Sequence, residues 1–92
     1  MADVDGRLRT LAHPLRRRIL DLVWDCERAS ADVAQQCGIS RPAASQQLKV
    51  LLEAELVTVR TRGAHRLYQA RLDTLGELRD VLDRFWGGPR RL

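Results

Sequence analysis

Aromatic side chains are scarce in this chain: two Trp, one Tyr and one Phe are all it holds. The core therefore has to be built from Leu, Val, Ile and Ala, which favours helices. Cysteine is equally sparse. Cys26 and Cys37 are too few for a disulfide scaffold and are expected as reduced thiols that the fold does not need. No apolar run approaches the ~20 residues of a membrane span. The opening stretch Met1, Ala2, Asp3, Val4, Asp5 is acidic where a secretory signal would be basic, and a cytoplasmic location is expected. The chain also lacks a Gly-rich phosphate loop, a Ser/His/acid or Cys/His arrangement with supporting spacing, and a clustered pair of carboxylates near a predicted cleft. Neither catalysis nor a cofactor is expected. His13, Cys26, Cys37 and His65 are the only imidazole or thiol donors. None lies at the two- to four-residue spacing of a usual metal site, so no metal is expected either.

What is present fits one domain. At 92 residues the chain is near the size at which a single core just suffices, and no linker or internal repeat divides residues 1–92. Its formal charge of +4 is unevenly placed. Residues 1–40 carry six Arg against six acids, and residues 72–92 four Arg against four acids, so both segments sum to zero. Residues 41–71 hold Arg41, Lys49, Arg60, Arg62, Arg66 and Arg71 against Glu53 and Glu55, which accounts for the whole +4. Positive charge this localised is what a polyanion-binding surface needs.

Apolar periodicity predicts the elements. Val4, Leu8 and Leu11 mark a short first helix that Gly6 weakens and Pro14 closes off. Pro14 opens a second helix over 14–25, with Leu15, Ile19, Leu22 and Val23 on one stripe. Ser30 is the expected N-cap of a third helix, 31–37, with Val33 and Ala34 inward and Gly38 as its stop. Ser40 caps a fourth, 41–54, with Pro42 in the first turn and Ala44, Leu48, Leu51 and Leu52 inward. Beyond Leu56 the period becomes alternating: Val57 and Val59 oppose Thr58 and Arg60, Arg62-Gly63-Ala64 turns, and 66–70 returns as the paired strand. A last helix runs from Leu72 through Leu75, Leu78, Leu82, Phe85 and Trp86 until Gly87, Gly88 and Pro89 end it, leaving 90–92 as a tail. The expected class is mainly α with a β-hairpin, in the order α-α-α-α-β-β-α.

A short helix, a tight Gly38-containing turn and a second helix opened by Ser40, Arg41 and Pro42 form a helix-turn-helix pattern, whose second helix enters the major groove. With its apolar stripe inward, that helix presents Ser40, Arg41, Ser45, Gln46 and Lys49 outward. Arg pairs with guanine edges, Gln with adenine and Ser with bases or phosphate, while Lys49, one turn on, is better placed for phosphate. Arg60, Arg62, His65 and Arg66 around Gly63 are expected to form a compact positive tip, suited to the phosphate backbone or a narrow minor groove. The competing reading of the helix is a solvated polar face.

These segments resemble the ArsR/SmtB winged-helix repressors over residues 7–86. The carriers are LAHPLRRRILDLV (11–23), ADVAQQCGISRPAASQQLKVLLEAELV (31–57) and VRTRGAHRLYQA (59–70). The resemblance implies a homodimeric repressor that binds double-stranded DNA at an imperfect palindromic operator through helix 41–54 and a 58–70 wing. It also implies an interface formed by the first and last helices, which agrees with the otherwise wet stripes Val4, Leu8, Leu11 and Leu75, Leu78, Leu82, Phe85, Trp86. Many relatives sense metals with a Cys-x-Cys pair in the third helix or His and acidic ligands in the last. This chain offers only Cys37 in the former and no His in 72–92.

Remaining residues carry plainer expectations. Cys37 reads as a small buried hydrophobe, and Cys26 as a thiol in a polar loop whose reactivity is open. His13 is a helix-boundary residue. Arg16, Arg17 and Arg18 either touch phosphates or form a solvated face paired with Asp21, and Trp24 and Trp86 are core or interface anchors. Two other functions remain in view: a winged-helix module that binds protein, and the same repressor switched by thiol oxidation.

Overall fold

The computed structural model describes residues 3–87, the last two by backbone alone. Five helices and three short strands run in the order α1 (Val4–Leu11), α2 (Pro14–Leu22), β1 (Arg28–Ala29), α3 (Ser30–Cys37), α4 (Arg41–Glu53), β2 (Val57–Arg62), β3 (His65–Ala70) and α5 (Leu72–Leu82). A π-helical turn, Asp83–Gly87, continues α5. The expectations placed on the Trp86 side chain, on Gly88 and Pro89, and on the 90–92 tail lie outside the described residues.

The order is the expected one with a strand added. β1 pairs antiparallel with β3, Arg28 opposite Tyr68 and Ala29 opposite Leu67, so the sheet runs β1-β3-β2 with β3 in the middle. That strand explains two displaced boundaries. Extended pairing makes Ala29 the residue before α3, so Ser30 becomes its first helical residue and not its cap, and no side chain caps this end. α2 stops at Leu22, short of the expected 25, because the Val23 carbonyl accepts from the Ala70 amide at 2.8 Å. A carbonyl bonded to the sheet is unavailable to a fourth residue along a helix.

Helix ends elsewhere follow local chemistry. Asp3 caps α1, its carboxylate accepting from the Gly6 amide at 2.7 Å. Ser40 caps α4, its hydroxyl accepting from the Ala43 amide at 3.1 Å. α3 ends in a Schellman turn: Gly38 has φ +66°, its amide donates to Gln35, and the Ile39 amide donates to Ala34. α4 ends in the same way with a glutamate where glycine is usual. Glu55 has φ +61°, its amide donates to Leu52, and the Leu56 amide donates to Leu51. A left-handed L residue costs about 1–2 kcal/mol, and here partners hold it. Arg7 of α1 donates to the Ala54 carbonyl at 3.0 Å and to the Glu55 carboxylate at 2.6 Å, and Arg71 lies 3.6 Å from the same carboxylate.

The core gathers the inward stripes. Ile19, Val23, Val33, Leu48, Leu51, Leu56 and Val57 are fully buried, and Leu20, Ala34, Ala44, Tyr68 and Ala70 join them. Leu8, Leu11, Leu15, Leu52, Leu75 and Cys37 pack against this cluster half-buried. Leu78, expected on an intermolecular interface, is only 3% exposed and belongs to the chain's own core, because it projects inward from α5. Arg17 and Arg18 are exposed, but none of Arg16, Arg17 and Arg18 is paired with Asp21 among the described residues. Arg16 donates to the Gln47 side chain at 2.9 Å, Arg17 to the Leu11 carbonyl and Arg18 to the Gln36 carbonyl, so they tie α2 to its neighbours.

Candidate nucleic-acid interface

The α4 helix is anchored by Ala44, Leu48 and Leu51 in the core, which turns Arg41, Pro42, Ser45, Gln46 and Lys49 to solvent. A helix so pinned holds its outward residues at fixed spacing, as groove reading requires. Ser40, also expected to face DNA, is exposed, but its oxygen serves the cap.

The hairpin stands beside this helix. β2 and β3 pair over their full length, from Val57 opposite Ala70 to Arg62 opposite His65. The connecting loop is Gly63-Ala64 with positive φ at the first residue alone, the type II′ pattern that suits the twist of a hairpin. Ser30, Ser45, Lys49, Glu53, Arg66 and Tyr68 line a groove of ≈ 690 Å³ between α4 and the hairpin. The Arg66 guanidinium sits 5.9 Å from the centre of the Tyr68 ring, a cation–π contact that steadies it over the groove.

The expected single positive tip is resolved into two faces. Side chains alternate along a strand, so Arg66, in the row two beyond Val59 and Tyr68, shares the core-side face with the groove. Arg60, Arg62 and His65 occupy the opposite face. Pairing divides the cations further. Arg60 donates twice to the Glu27 carboxylate, at 2.5 and 2.7 Å, and Arg71 is engaged by Asp73 and Glu55. Arg41, Lys49, Arg62 and Arg66 are exposed and have no carboxylate partner among the described residues. Of the six cations counted in 41–71, these four remain free for a polyanion.

A second surface lies away from the groove. Trp24 is 43% exposed, and so is not the core anchor that its size allowed. It lies between two apolar hollows of ≈ 330 and ≈ 310 Å³, one lined by Leu72, Leu75 and Arg79, the other by Leu11, Leu20 and Leu75. Val4, Leu72, Leu82 and Phe85 are also exposed, Phe85 by 63%. Of the thiols, Cys26 is exposed and Cys37 half-buried. No group of three or more His, Cys, Asp or Glu among the described residues is arranged to hold a metal ion.

Residues 11–60 match the helix-turn-helix domain family. An HTH-type transcriptional regulator of Mycobacterium tuberculosis is 42% identical over 82 residues, covering 89% of this chain and 77% of the relative. The arsenical resistance operon repressor of Staphylococcus xylosus is 34% identical over 76 residues, or 83% and 73% of the two chains. Among solved structures, the homodimeric winged helix-turn-helix DNA-binding domain of a possible ArsR-family regulator from Mycobacterium bovis superposes with a TM-score of 0.76 at 30% identity, covering 86% of this chain and 74% of that one.

Proposed function

The chain belongs to the ArsR family of winged helix-turn-helix transcriptional regulators, and from that premise we propose that it is a repressor, not an enzyme, and binds duplex DNA as a homodimer. In this reading residues 1–92 form one DNA-binding domain with dimerising terminal helices, acting in the cytoplasm. No described helix is long and apolar enough to cross a membrane. The observation that carries the reading is the run of Arg41, Ser45, Gln46 and Lys49 along the exposed side of α4, of which Ser45 and Lys49 line the groove together with Arg66. Base-edge donors and acceptors lie at the helix start, and free cations flank them, which is how specific and non-specific contacts divide.

The apolar surface formed by Val4, Leu11, Trp24, Leu72, Leu75, Leu82 and Phe85 takes the second copy. Support comes from the exposure of Val4, Trp24, Leu72, Leu82 and Phe85, all but Trp24 on α1, α5 or the turn that continues it, and from the M. bovis domain, which is homodimeric. Two-fold symmetry then calls for an imperfectly palindromic operator with half-sites roughly 34 Å apart, one helical turn. DNA binding in this reading needs no metal, because the chain's His and Cys donors do not fall at the two- to four-residue spacing of a usual metal site.

Binding isotherms on operator and scrambled duplex at several salt concentrations test the division of labour. Gln46→Ala should narrow the gap between the two duplexes, where a bidentate pair supplies about 1–3 kcal/mol of discrimination. Arg62→Ala should weaken both equally and lower the salt slope by about 0.9 for each phosphate that is no longer neutralised. An intact specificity ratio in Gln46→Ala, together with its loss in Arg62→Ala, would reverse the assignment.

A further inference from the structure

Glu27 lies just ahead of β1, at one edge of the sheet, and Arg60 lies on β2 at the other, with β3 between them. Their side chains nevertheless meet in a two-pronged ion pair, spanning 33 positions of sequence and crossing the middle strand. The register accounts for this. Ala29, Leu67 and Arg60 fall in one row across the three strands, and Glu27 is two residues from Ala29 and so on the same face. That face also carries Arg62 and His65.

We propose that Glu27 is an internal counter-ion that withdraws Arg60 from DNA and so sets how many cations the wing brings to the phosphate backbone. The inference rests on the reading of the hairpin as a DNA-contacting wing. A carboxylate gripping the guanidinium through Nε and Nη2 takes up one of its two-pronged edges and neutralises the charge that a phosphate would otherwise meet. The carboxyl of Glu27 is held below its ordinary range by the hydrogen bonds from Arg60, with the charges of Arg60 and Arg62 acting in the same direction, so the counter-ion stays charged near neutral pH. Arg62, two residues further along the same face, has no such partner among the described residues and meets DNA as a free cation. Glu27 is thus a positioning residue: it touches no DNA and acts through Arg60.

The test compares salt dependence of duplex binding for the wild-type chain, Glu27→Gln, Arg62→Ala and the double variant Glu27→Gln/Arg60→Ala, with thermal melts confirming folded protein. Glu27→Gln frees Arg60 and should steepen the slope by about 0.9 per protomer, or about 1.8 for a dimer. Its affinity relative to wild type should then change about 12-fold between 50 and 200 mM salt, since fourfold dilution raised to that power gives this ratio. The double variant carries neither partner, leaves no orphan charge, and should keep the wild-type slope. A shallower slope in the double variant, or an unchanged slope in folded Glu27→Gln, overturns the proposal. Failure of the underlying wing reading looks different: Arg62→Ala would then leave the slope untouched.

Discussion

Replacing Gly38 by Ala separates backbone strain from crowding at the corner that sets the angle between α3 and α4. Gly38 sits at φ +66°, and no atom beyond its chain neighbours lies within 4 Å of the place a Cβ would occupy. Steric contact therefore contributes nothing, and the cost is that of holding an L residue in the left-handed region, about 1–2 kcal/mol. Loss of unfolded-chain freedom on going from Gly to Ala offsets about 0.4–1 kcal/mol of this. The net is about 1 kcal/mol, which lowers Tm by roughly 4–8 °C in a domain of this size. Gly38→Asn should lie between the two, because Asn tolerates the left-handed C-terminal position better than Ala. Circular-dichroism melts at equal protomer concentration measure this, the concentration being fixed because the Tm of a chain that self-associates depends on it. Operator binding well below Tm should be unchanged, since the two Schellman hydrogen bonds survive in both variants. An Ala variant more stable than wild type, the gain expected where no strain opposes the loss of unfolded-chain freedom, would show that the corner is not left-handed. A loss above about 3 kcal/mol, more than strain alone accounts for, would show that the space beside it is filled.

Two further outcomes follow from the surfaces. Leu82→Glu combined with Phe85→Glu places charge on two exposed apolar positions and should yield folded monomers in sedimentation, whereas Leu78→Glu, buried in the protomer, should unfold the chain; an intact dimer in the first variant would move the interface elsewhere. Operator affinity should be the same before and after thorough chelation, and stoichiometric metal whose addition releases DNA would refute the metal-independent reading.

Much of this was legible in the chain because it is carried by neighbours. The 3.6-residue apolar spacing of α4 determines which side is buried, and Ala44, Leu48 and Leu51 turn inward as their spacing predicts. Ser40 and Gly38 act through amides within five positions, so the helix-turn-helix corner could be read directly, as could the hairpin from its change to a two-residue period. The free cations of α4, Arg41 and Lys49, follow from the same arithmetic.

Other features depend on partners far along the chain. β1 is two residues long and carries no periodic signal; it exists because β3 offers an edge. The early end of α2 depends on the Ala70 amide, and the left-handed Glu55 on Arg7, 48 positions away. Counting charge over 41–71 put Arg60 beside Arg62 as a DNA contact, yet one is paired with Glu27 and the other is not. Leu78 and Leu82 share one stripe, but α5 buries the first and exposes the second. Local periodicity and capping chemistry determined the elements and the exposed face of α4, because their partners lie within one helical turn or one strand pair. Which arginine is free, and which leucine stays exposed, was decided only when the sheet and helices brought distant residues within hydrogen-bonding and van der Waals range.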